Sequence, residues 1–267
     1  MTKELPPHSV IRTLTVHDID AILVNESAGF PPEERCTLEK LQYRLKVCPE
    51  LSAGVFIRQF DNSPEPRATA TSSTASSLPG ANHQTPVENH RDSSTSPEPL
   101  NESDEETANA TDADTDFVVK PVTLPAGKSS MVSEKLIAHI LGTKTTSMFI
   151  TDESMQIPDI DEYGRRKDPN DPRGHKEEGR TIGVHSLVVD PTFQGRSVGS
   201  ILIKDYIQRI TTQHIADRIS LIAHPELVPY YKRFDFVDHG LSEVKFAGAG
   251  WHDMSVPLKD EDDDLSV

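Results

Sequence analysis

The sequence predicts a single α/β domain that is interrupted by one long polar insertion. Short runs of branched apolar residues alternate with segments of helical periodicity along the 267 residues. One internal stretch differs sharply from its flanks, because acidic, Ser, Thr and Pro residues collect there. A strand-like segment in the second half leads through a glycine-containing loop into an amphipathic segment.

The N-terminal part predicts a strand, two helices and a second strand. Residues 10–14 form the first strand candidate. Thr15 and Asp18 make a capping-box-like start for the first helix, and Thr37 can cap the second. The next strand is expected over 51–60, where the chain resumes an apolar run.

Residues 61–134 are predicted to be a disordered, acidic insertion. Between 61 and 116 there are 12 acidic and 2 basic residues, and no Phe, Tyr or Trp. Such a segment cannot bury enough apolar surface to offset its chain entropy. It is either a regulatory segment open to phosphorylation or an inert insertion.

The sequence after the insertion predicts one strand, a polar loop, and then a further series of strands and helices. A strand is expected over 135–144, and a loop with three prolines over 151–179. The remaining elements are a strand over 180–189, a helix over 198–211, a strand over 219–223, a helix over 226–233, strands around 236 and 244–246, and an acidic tail over 258–267. The folded domain is therefore expected to span 10–257.

Composition and charge exclude several function classes. The chain has 27 Lys and Arg against 43 Asp and Glu, a formal net charge of −16, which disfavours a nucleic-acid partner. No apolar run approaches the ~20 residues that cross a bilayer, and the N-terminus lacks the apolar run of a secretory signal. The two cysteines have no spacing typical of a metal site. We expect a cytoplasmic, monomeric protein without a metal and without a membrane partner.

The loop that follows the strand over 180–189 is suited to binding a pyrophosphate. Backbone N–H groups of a glycine-containing loop and the positive end of the next helix converge there, and Arg196 adds a charge. The G-x-G-x-x-G pattern of dinucleotide-binding folds is absent. A plain strand–loop–helix connection remains the alternative. The loop reads Gln194-Gly195-Arg196-Ser197-Val198-Gly199-Ser200.

Four motifs, which follow one another along the chain in the same order as in the family, resemble those of the GNAT superfamily and, within it, of the arylalkylamine (serotonin-type) N-acetyltransferases. The loop resembles Q/R-x-x-G-x-G/A, the signature that binds the pyrophosphate of CoA, with Ser197 at the first glycine position. Residues 26–30 (ESAGF), 48–52 (CPELS) and 228–236 (VPYYKRFDF) resemble E-x-x-A-F, C-P-E-L-S and V-P-F-Y-x-R-F-G-F. In the last motif Asp235 stands where the family usually has glycine.

The resemblance implies a GNAT acyltransferase fold, with a central mixed, mostly antiparallel sheet flanked by helices. It also implies an acetyl-CoA-dependent N-acetyltransferase that transfers the acetyl group directly, in a ternary complex, to a small primary amine. The implied acceptor is an arylalkylamine such as tryptamine or serotonin. A polyamine acceptor, a protein acceptor and a non-catalytic CoA-binding scaffold are the alternatives.

His185 is the candidate general base. Strand alternation puts it on the same face as Leu187 and Val189, and a neutral imidazole with a reference pKa of ~6.5 can accept a proton. The resemblance implies a catalytic histidine at this position. The family often has a second histidine two residues earlier, where this chain has Gly183. A buried structural histidine is the alternative.

Tyr231 is the candidate general acid, because its phenol can protonate the leaving thiolate of CoA. The resemblance implies that backbone N–H groups from Leu187 to Val189 face the thioester carbonyl. The expected acetyl-CoA contacts are Leu187, Val188, Val189, Gln194, Gly195, Arg196, Ser197, Val198, Gly199, Ser200 and Tyr231. The candidate walls of the amine pocket are Phe30, Pro49 and Ile222, each of which could instead be ordinary core.

Overall fold

The computed structural model describes residues 4–61, 130–162, 165–248 and 250–258. These residues belong to one structural unit made of Met1–Asn62 and Ser129–Val267. Most of the insertion predicted over 61–134, and nearly all of the acidic tail predicted over 258–267, lie outside the described residues.

The described residues form seven strands and four α-helices. In chain order these are β1 Ser9–Thr13, α1 Ile19–Gly29, α2 Leu38–Val47, β2 Ser52–Asp61, β3 Ser130–Thr145, β4 Thr181–Val189, α3 Val198–Gln213, β5 Arg218–Ala223, α4 Val228–Tyr231, β6 Val237–Leu241 and β7 His252–Pro257. The strands make one sheet in the order β1-β2-β3-β4-β5-β7-β6, in which β4 and β5 are parallel and the other neighbours antiparallel. The predicted mixed, mostly antiparallel sheet is confirmed.

The helices pack into two separate apolar cores. Helices α1 and α2 contribute to the smaller core, together with Leu14 and Leu136. Helix α3 contributes to the larger core, where Tyr206 is fully buried and its hydroxyl donates to the carbonyl oxygen of Leu51 at 2.9 Å. The larger core extends to α4 and therefore connects α3 to Tyr231.

The two predicted helix caps are present. Thr15 and Asp18 form a capping box around the short 3₁₀ turn Val16–Asp18, and α1 follows directly. The side chain of Thr37 accepts from the backbone N–H of Lys40 at the start of α2, at 3.4 Å. Local side-chain chemistry therefore determines where both helices begin.

Strand β3 begins at Ser130, so residues 130–134, which were assigned to the insertion, lie in the sheet. The physical reason is an ion-pair network across the strands. Glu134 accepts from Arg58 at 2.8 Å and from Arg12 at 3.0 Å, so its charge is neutralised on the sheet. Asp61, also assigned to the insertion, is the last residue of β2 and pairs with Ser130 of β3.

Two other predictions are corrected near the C-terminus. Residues 244–246 do not form a strand, and the strand lies instead at His252–Pro257, paired with β5 on one side and β6 on the other. Polar residues such as Asp253 and Ser255 concealed its apolar alternation. The helix predicted over 226–233 is only one turn of α-helix with 3₁₀ turns on both sides.

Candidate active site

The sheet opens between its two parallel strands. The pairing of β4 with β5 runs from Thr181↔Arg218 to Val184↔Leu221 and stops there. Strand β4 nevertheless continues to Val189, so its last five residues have an edge that faces away from β3 and has no strand partner among the described residues. A gap in the sheet results, and most of the site residues predicted from the sequence lie around it.

His185 is the extra residue of a β-bulge at the start of this gap. On β3, Leu141 and Gly142 are consecutive, but their partners on β4 are Ser186 and Val184. His185 therefore has no opposite residue on β3. Bulges redirect side chains and interrupt pairing, and they are common beside active sites.

The bulge corrects the predicted direction of the His185 side chain. His185 Nε2 lies 2.7 Å from Thr143 Oγ1, and Ser186 Oγ lies 3.2 Å from His139 Nε2. Thr143 and His139 are four residues apart on β3 and so share one face of the sheet. His185 and Ser186 therefore contact the same face, whereas Leu187 packs against the larger core on the other face.

Two of the three predicted β4 amides point into the gap. The N–H of Asp190 donates to the carbonyl oxygen of Ile137 on β3 at 2.8 Å. Because peptide groups alternate in direction along a strand, the N–H of Val188 also faces β3, and those of Leu187 and Val189 face the open edge. The Val189 carbonyl oxygen, on the same edge, accepts from the Gln194 side chain at 3.1 Å. Val188 is the one predicted amide that does not reach the gap.

A cleft of about 460 Å³ lies along this open edge, and it is called here the donor cleft. Its lining is formed by the end of β4, the loop before α3, the first turn of α3 and the segment around α4. The lining residues are Leu187, Val189, Phe193, Gln194, Gly195, Ser197, Val198, Gly199, Ser200, Leu227, Tyr230, Tyr231 and Arg233. Arg196 is exposed on the same loop, with its guanidinium 5.5 Å from the centre of the Phe193 ring.

The donor cleft ends at the N-terminus of a 16-residue helix. Helix α3 begins at Val198, and Ser197, its N-cap, makes no side-chain capping hydrogen bond. The first N–H groups of a helix have no partner within the helix and carry partial positive charge. At Gly199 a Cβ atom would lie 3.1 Å from the hydroxyl oxygen of Tyr230, so a larger residue there would crowd the cleft.

Both residues that replace a glycine of the resembled motifs have left-handed backbone. Ser197 has φ 65° and ψ 8°, and Asp235, after the 3₁₀ turn Lys232–Phe234, has φ 64° and ψ 16°. Glycine adopts this conformation readily, whereas other residues are strained in it. The loop geometry that glycine favours is therefore kept in this chain at some conformational cost.

A second, smaller cavity of about 90 Å³ lies on the other side of the gap, and it is called here the acceptor cavity. Leu187, Leu227 and Tyr231 line both cavities. Most of the remaining walls are aromatic or aliphatic. They are Phe30, Glu34, Ile150, Met155, Val184, His185, Ser186, Leu221, Ile222, Ala223, His224, Phe246 and Trp251.

Two of the three predicted pocket walls line this cavity. Phe30 follows the end of α1, and Ile222 lies on β5 just past the last pair with β4. Pro49 does not line the acceptor cavity. It opens the 3₁₀ turn Pro49–Leu51 before β2.

Tyr231 lies between the two cavities and is 8% exposed. Burial raises the pKa of its phenol well above 10, and the neighbouring Tyr230 adds to the increase, so the hydroxyl keeps its proton at neutral pH. Its ring packs edge-to-face on Tyr230 at 5.1 Å and against Phe236 at 5.6 Å.

His185 is neutral in this environment. Burial lowers its pKa well below 6.5, and the cationic side chains of Arg44 and Lys40 lower it further. Nε2 contacts Thr143, and Nδ1 has no partner among the described residues. A neutral imidazole with one unengaged nitrogen is able to accept a proton.

Comparison with known proteins agrees with this geometry. The family model described as acetyltransferase (GNAT) domain matches residues 169–258, which include β4, the loop before α3, α3 itself and Tyr231. The loading GNATL domain of CurA from Lyngbya majuscula is similar in structure, with a TM-score of 0.52 and 8% identity, over 94% of this chain and 98% of that chain. The fold is that of a GNAT acetyltransferase domain.

Two further proteins are similar to this chain. An uncharacterized N-acetyltransferase, ycf52 of Pyropia yezoensis, is 31% identical over 65 residues, which are 24% of this chain and 37% of that protein. The GphF GNAT-like decarboxylase in complex with isobutyryl-CoA has a TM-score of 0.47 and 10% identity, over 94% of this chain and 100% of that chain. The matched part of this chain thus spans little more than a third of the length of the ycf52 protein.

The fold also contains a buried polar cluster that was not predicted from the sequence. Glu26 Oε1 lies 2.9 Å from His139 Nε2 and accepts from the hydroxyl of Ser186, while Oε2 accepts from the N–H of Cys36 at 2.9 Å. Burial acts to raise the pKa of Glu26, but these hydrogen bonds outweigh it and lower the pKa. Glu26 was part of the quoted motif over 26–30, which was the available signal.

This cluster is structural and differs from a nucleophilic triad. Glu26 and His139 are at most 1% exposed and line neither cavity, so substrate does not reach the carboxylate or the imidazole. The carboxylate and the serine hydroxyl also share the same histidine nitrogen, whereas in a Ser–His–Asp triad they occupy opposite nitrogens. The cluster connects α1 to β3 and to the residue that follows His185.

The described residues contain neither a metal-binding cluster nor a membrane-spanning helix. No group of three or more His, Cys, Asp or Glu side chains in that part of the chain could hold a metal ion. No helix formed by those residues is sufficiently long and apolar to span a bilayer.

Proposed function

We propose that this protein transfers the acetyl group of acetyl-CoA to the amine of a small acceptor. The observation that carries the proposal is that Tyr231 lines both the donor cleft and the acceptor cavity. Of the two cavities, His185 lines only the acceptor cavity. A proton donor at the junction and a proton acceptor on the amine side are the two groups that this reaction requires.

The donor cleft is suited to the CoA part of the donor. The N-terminus of α3 and the loop amides would bind the pyrophosphate, and Arg196 and Arg233 would add positive charge. The open-edge N–H groups of Leu187 and Val189 would bind the pantetheine arm and the thioester carbonyl. Strand amides and a helix end are fixed by the fold, so little reorganisation accompanies the reaction.

The chemical steps follow from the protonation states. Neutral His185 takes a proton from the ammonium of the acceptor, directly or through a water, and the free amine attacks the thioester carbon. The oxyanion that forms is stabilised by backbone N–H groups of β4. When the C–S bond breaks, Tyr231 donates its proton to the thiolate. The nitrogen of the intermediate then gives its remaining extra proton to the Tyr231 phenolate through water, and His185 releases its proton to solvent. The products are the amide, the free thiol of CoA and one proton.

Aromatic walls favour an arylalkylamine as the acceptor. Phe30, Phe246 and Trp251 line the acceptor cavity, and the Phe246 and Trp251 rings are stacked at 6.3 Å. A cavity of about 90 Å³ is smaller than the space that drug-sized ligands occupy, which favours a small amine over a peptide. A polyamine is the second candidate, because the carboxylate of Glu34 lines the same cavity.

The test follows thiol release from acetyl-CoA by the purified full chain with tryptamine and, separately, spermidine. We expect turnover of tryptamine and a loss of about 10²-fold or more in kcat for His185→Ala and for Tyr231→Phe. Preference for spermidine would keep the mechanism and change the acceptor. If acetyl-CoA binds but no amine is acetylated, the enzyme proposal is wrong and a non-catalytic CoA-binding scaffold replaces it.

A further inference from the structure

One wall of the acceptor cavity carries a buried carboxylate that the mechanism does not use. Glu34 ends the 3₁₀ turn Pro32–Glu34, which follows α1. Its side chain is only 10% exposed and lines the acceptor cavity. Burying a carboxylate is costly unless hydrogen bonds or charges compensate for it, so its partners decide what it does.

Glu34 has one side-chain partner among the described residues. Its Oε1 lies 3.1 Å from Nε2 of His224, which directly follows β5. No described lysine or arginine comes within 4 Å of it, and its second oxygen, Oε2, makes no hydrogen bond to any described residue. A carboxylate offers about four acceptor positions, so most of its capacity remains unused.

The structure holds this carboxylate in place. Arg35, the next residue, donates to the carbonyl oxygens of Phe30 at 2.9 Å and Ser27 at 3.0 Å, which fixes the turn against the end of α1. The ring of His224 stacks on Trp251 with centroids 3.9 Å apart. The carboxylate and its partner are therefore positioned before any ligand arrives.

Glu34 and the proposed base belong to different walls of the acceptor cavity. His185 contacts Thr143 on β3, whereas Glu34 contacts His224, which follows β5 and packs on Trp251. An acceptor whose amine faces the thioester would extend its other end along the aromatic walls. That other end is the part that Glu34 can contact.

We propose that Glu34 selects acceptors that carry a second hydrogen-bond donor remote from the reacting amine. The donor would be an O–H or N–H group on an aromatic ring, or a second ammonium on an alkyl chain. This inference rests on the proposed acetyl transfer and specifies its substrate class. Glu34 is a specificity-determining residue in this scheme and takes no part in moving the reacting proton.

The physical basis is the cost of leaving a carboxylate oxygen unpaired once a bound amine covers it. An amine without the second donor would displace water from Glu34 and offer it nothing in return. Sites built to bind a substrate hydroxyl or N–H therefore reject analogues that lack it far more strongly than apolar pockets reject a missing methylene.

The experiment measures kcat/KM for two matched pairs of amines. Tyramine and phenethylamine differ by one phenol hydroxyl, and putrescine and butylamine differ by one ammonium. In at least one pair, we expect the kcat/KM of the amine that carries the second donor to exceed that of its partner by about tenfold or more. The pair that shows this preference identifies the source of the donor.

The variants are Glu34→Gln, which removes the charge, and Glu34→Met, which removes every acceptor atom at similar length. We expect the preference to shrink in Glu34→Gln and to vanish in Glu34→Met. Glu33→Gln changes the neighbouring exposed carboxylate and should keep the preference. Binding of acetyl-CoA, measured by calorimetry, should be unchanged in all three variants, which also shows that they are folded.

Two outcomes would overturn the inference, and they are distinguishable. If the protein acetylates both members of each pair equally, or if Glu34→Met keeps the preference, the inference alone is wrong. If it acetylates none of the four amines nor tryptamine, the proposed function fails and the inference fails with it.

Discussion

The Nε2 atom of His185 lies 2.7 Å from the Oγ1 atom of Thr143 on the neighbouring strand. A neutral imidazole has its proton on only one nitrogen, and the hydrogen bond at one nitrogen determines the state of the other. When the Thr143 hydroxyl accepts from Nε2, Nδ1 presents a lone pair. We therefore expect Thr143 to set the tautomer in which His185 acts as a base.

Replacement of this hydroxyl tests the assignment. Thr143→Val keeps the side-chain shape and should lower kcat about tenfold, because His185 loses the partner that fixes its tautomer. The affinity for acetyl-CoA, measured by calorimetry, should not change. Thr143→Ser restores the hydroxyl and should recover most of the activity. A Thr143→Val enzyme with full activity would show that the contact is only structural.

The pH dependence of activity should report the lowered pKa of His185. Only the neutral ring can take the proton of the acceptor, so kcat/KM should rise with pH through this pKa and level off above it. Because the pKa lies well below 6.5, the acidic limb should be complete before pH 7. Activity that still rises above pH 7 would contradict this assignment of the base.

Removal of a neighbouring cation should move that limb in a defined direction. Lys40 helps to lower the pKa of His185, so Lys40→Gln should raise this pKa and shift the acidic limb to higher pH. Lys46→Gln, at an exposed position of the same helix, is the matched control and should leave the limb unchanged. Equal profiles for both variants would show that Lys40 does not act on His185.

Glycine at the two left-handed positions should stabilise the protein. Ser197→Gly removes the strain of a φ of 65° and should raise the free energy of unfolding by about 0.5–1 kcal/mol, after the greater chain entropy of glycine is subtracted. Asp235→Gly should gain less, since aspartate tolerates this conformation better than serine. Thermal unfolding without ligand measures both.

A control for this effect lies in the same helix. Ser200→Gly, in the first turn of α3, should destabilise the protein by about 0.5–1 kcal/mol because the residue is helical. If Ser197→Gly is also destabilising, the serine must make a contribution to the loop that its backbone conformation does not reveal.

The buried carboxylate of Glu26 should be important for stability and for its pH dependence. Glu26→Gln leaves His139 and Ser186 with a poorer acceptor and should cost about 3 kcal/mol of unfolding free energy at pH 7. The pKa of Glu26 is lowered by folding, so its contribution is present above about pH 4.5 and is lost as the pH falls through the folded value.

The measurement is urea unfolding of both proteins at pH 7 and at pH 4 or below. The difference between the native protein and Glu26→Gln should shrink at the lower pH. Asp20→Asn, at an exposed position of the same helix, should cost less than about 1 kcal/mol at either pH. A constant difference across this range would mean that the charge of Glu26 is not what stabilises the fold.

The elements with strong local signals could be predicted from the sequence. The caps at Thr15 and Thr37, the strand that contains His185 and the helix after Ser197 all match the structure closely. Each depends on chemistry within a few residues, which a single sequence displays. Of the three predicted pocket walls, Phe30 and Ile222 line one cavity and Pro49 does not.

The remaining features depend on contacts between distant parts of the chain. The bulge at His185 arises from the register with β3, and nothing in the local sequence marks it. Glu34 meets His224 across 190 positions, and Glu26 meets Ser186 across 160. Polar residues in such pairs look solvent-exposed in a sequence, because the partner that makes burial tolerable is far away.

The open edge of β4 has a consequence for handling the protein. Between His185 and Val189 no described strand pairs with β4 on the side away from β3. A ligand that fills this edge binds only the folded state and raises the melting temperature in proportion to the logarithm of its concentration. In the proposed function that ligand is acetyl-CoA, so shelf life, resistance to proteases and tendency to self-associate should depend on how much acetyl-CoA is present.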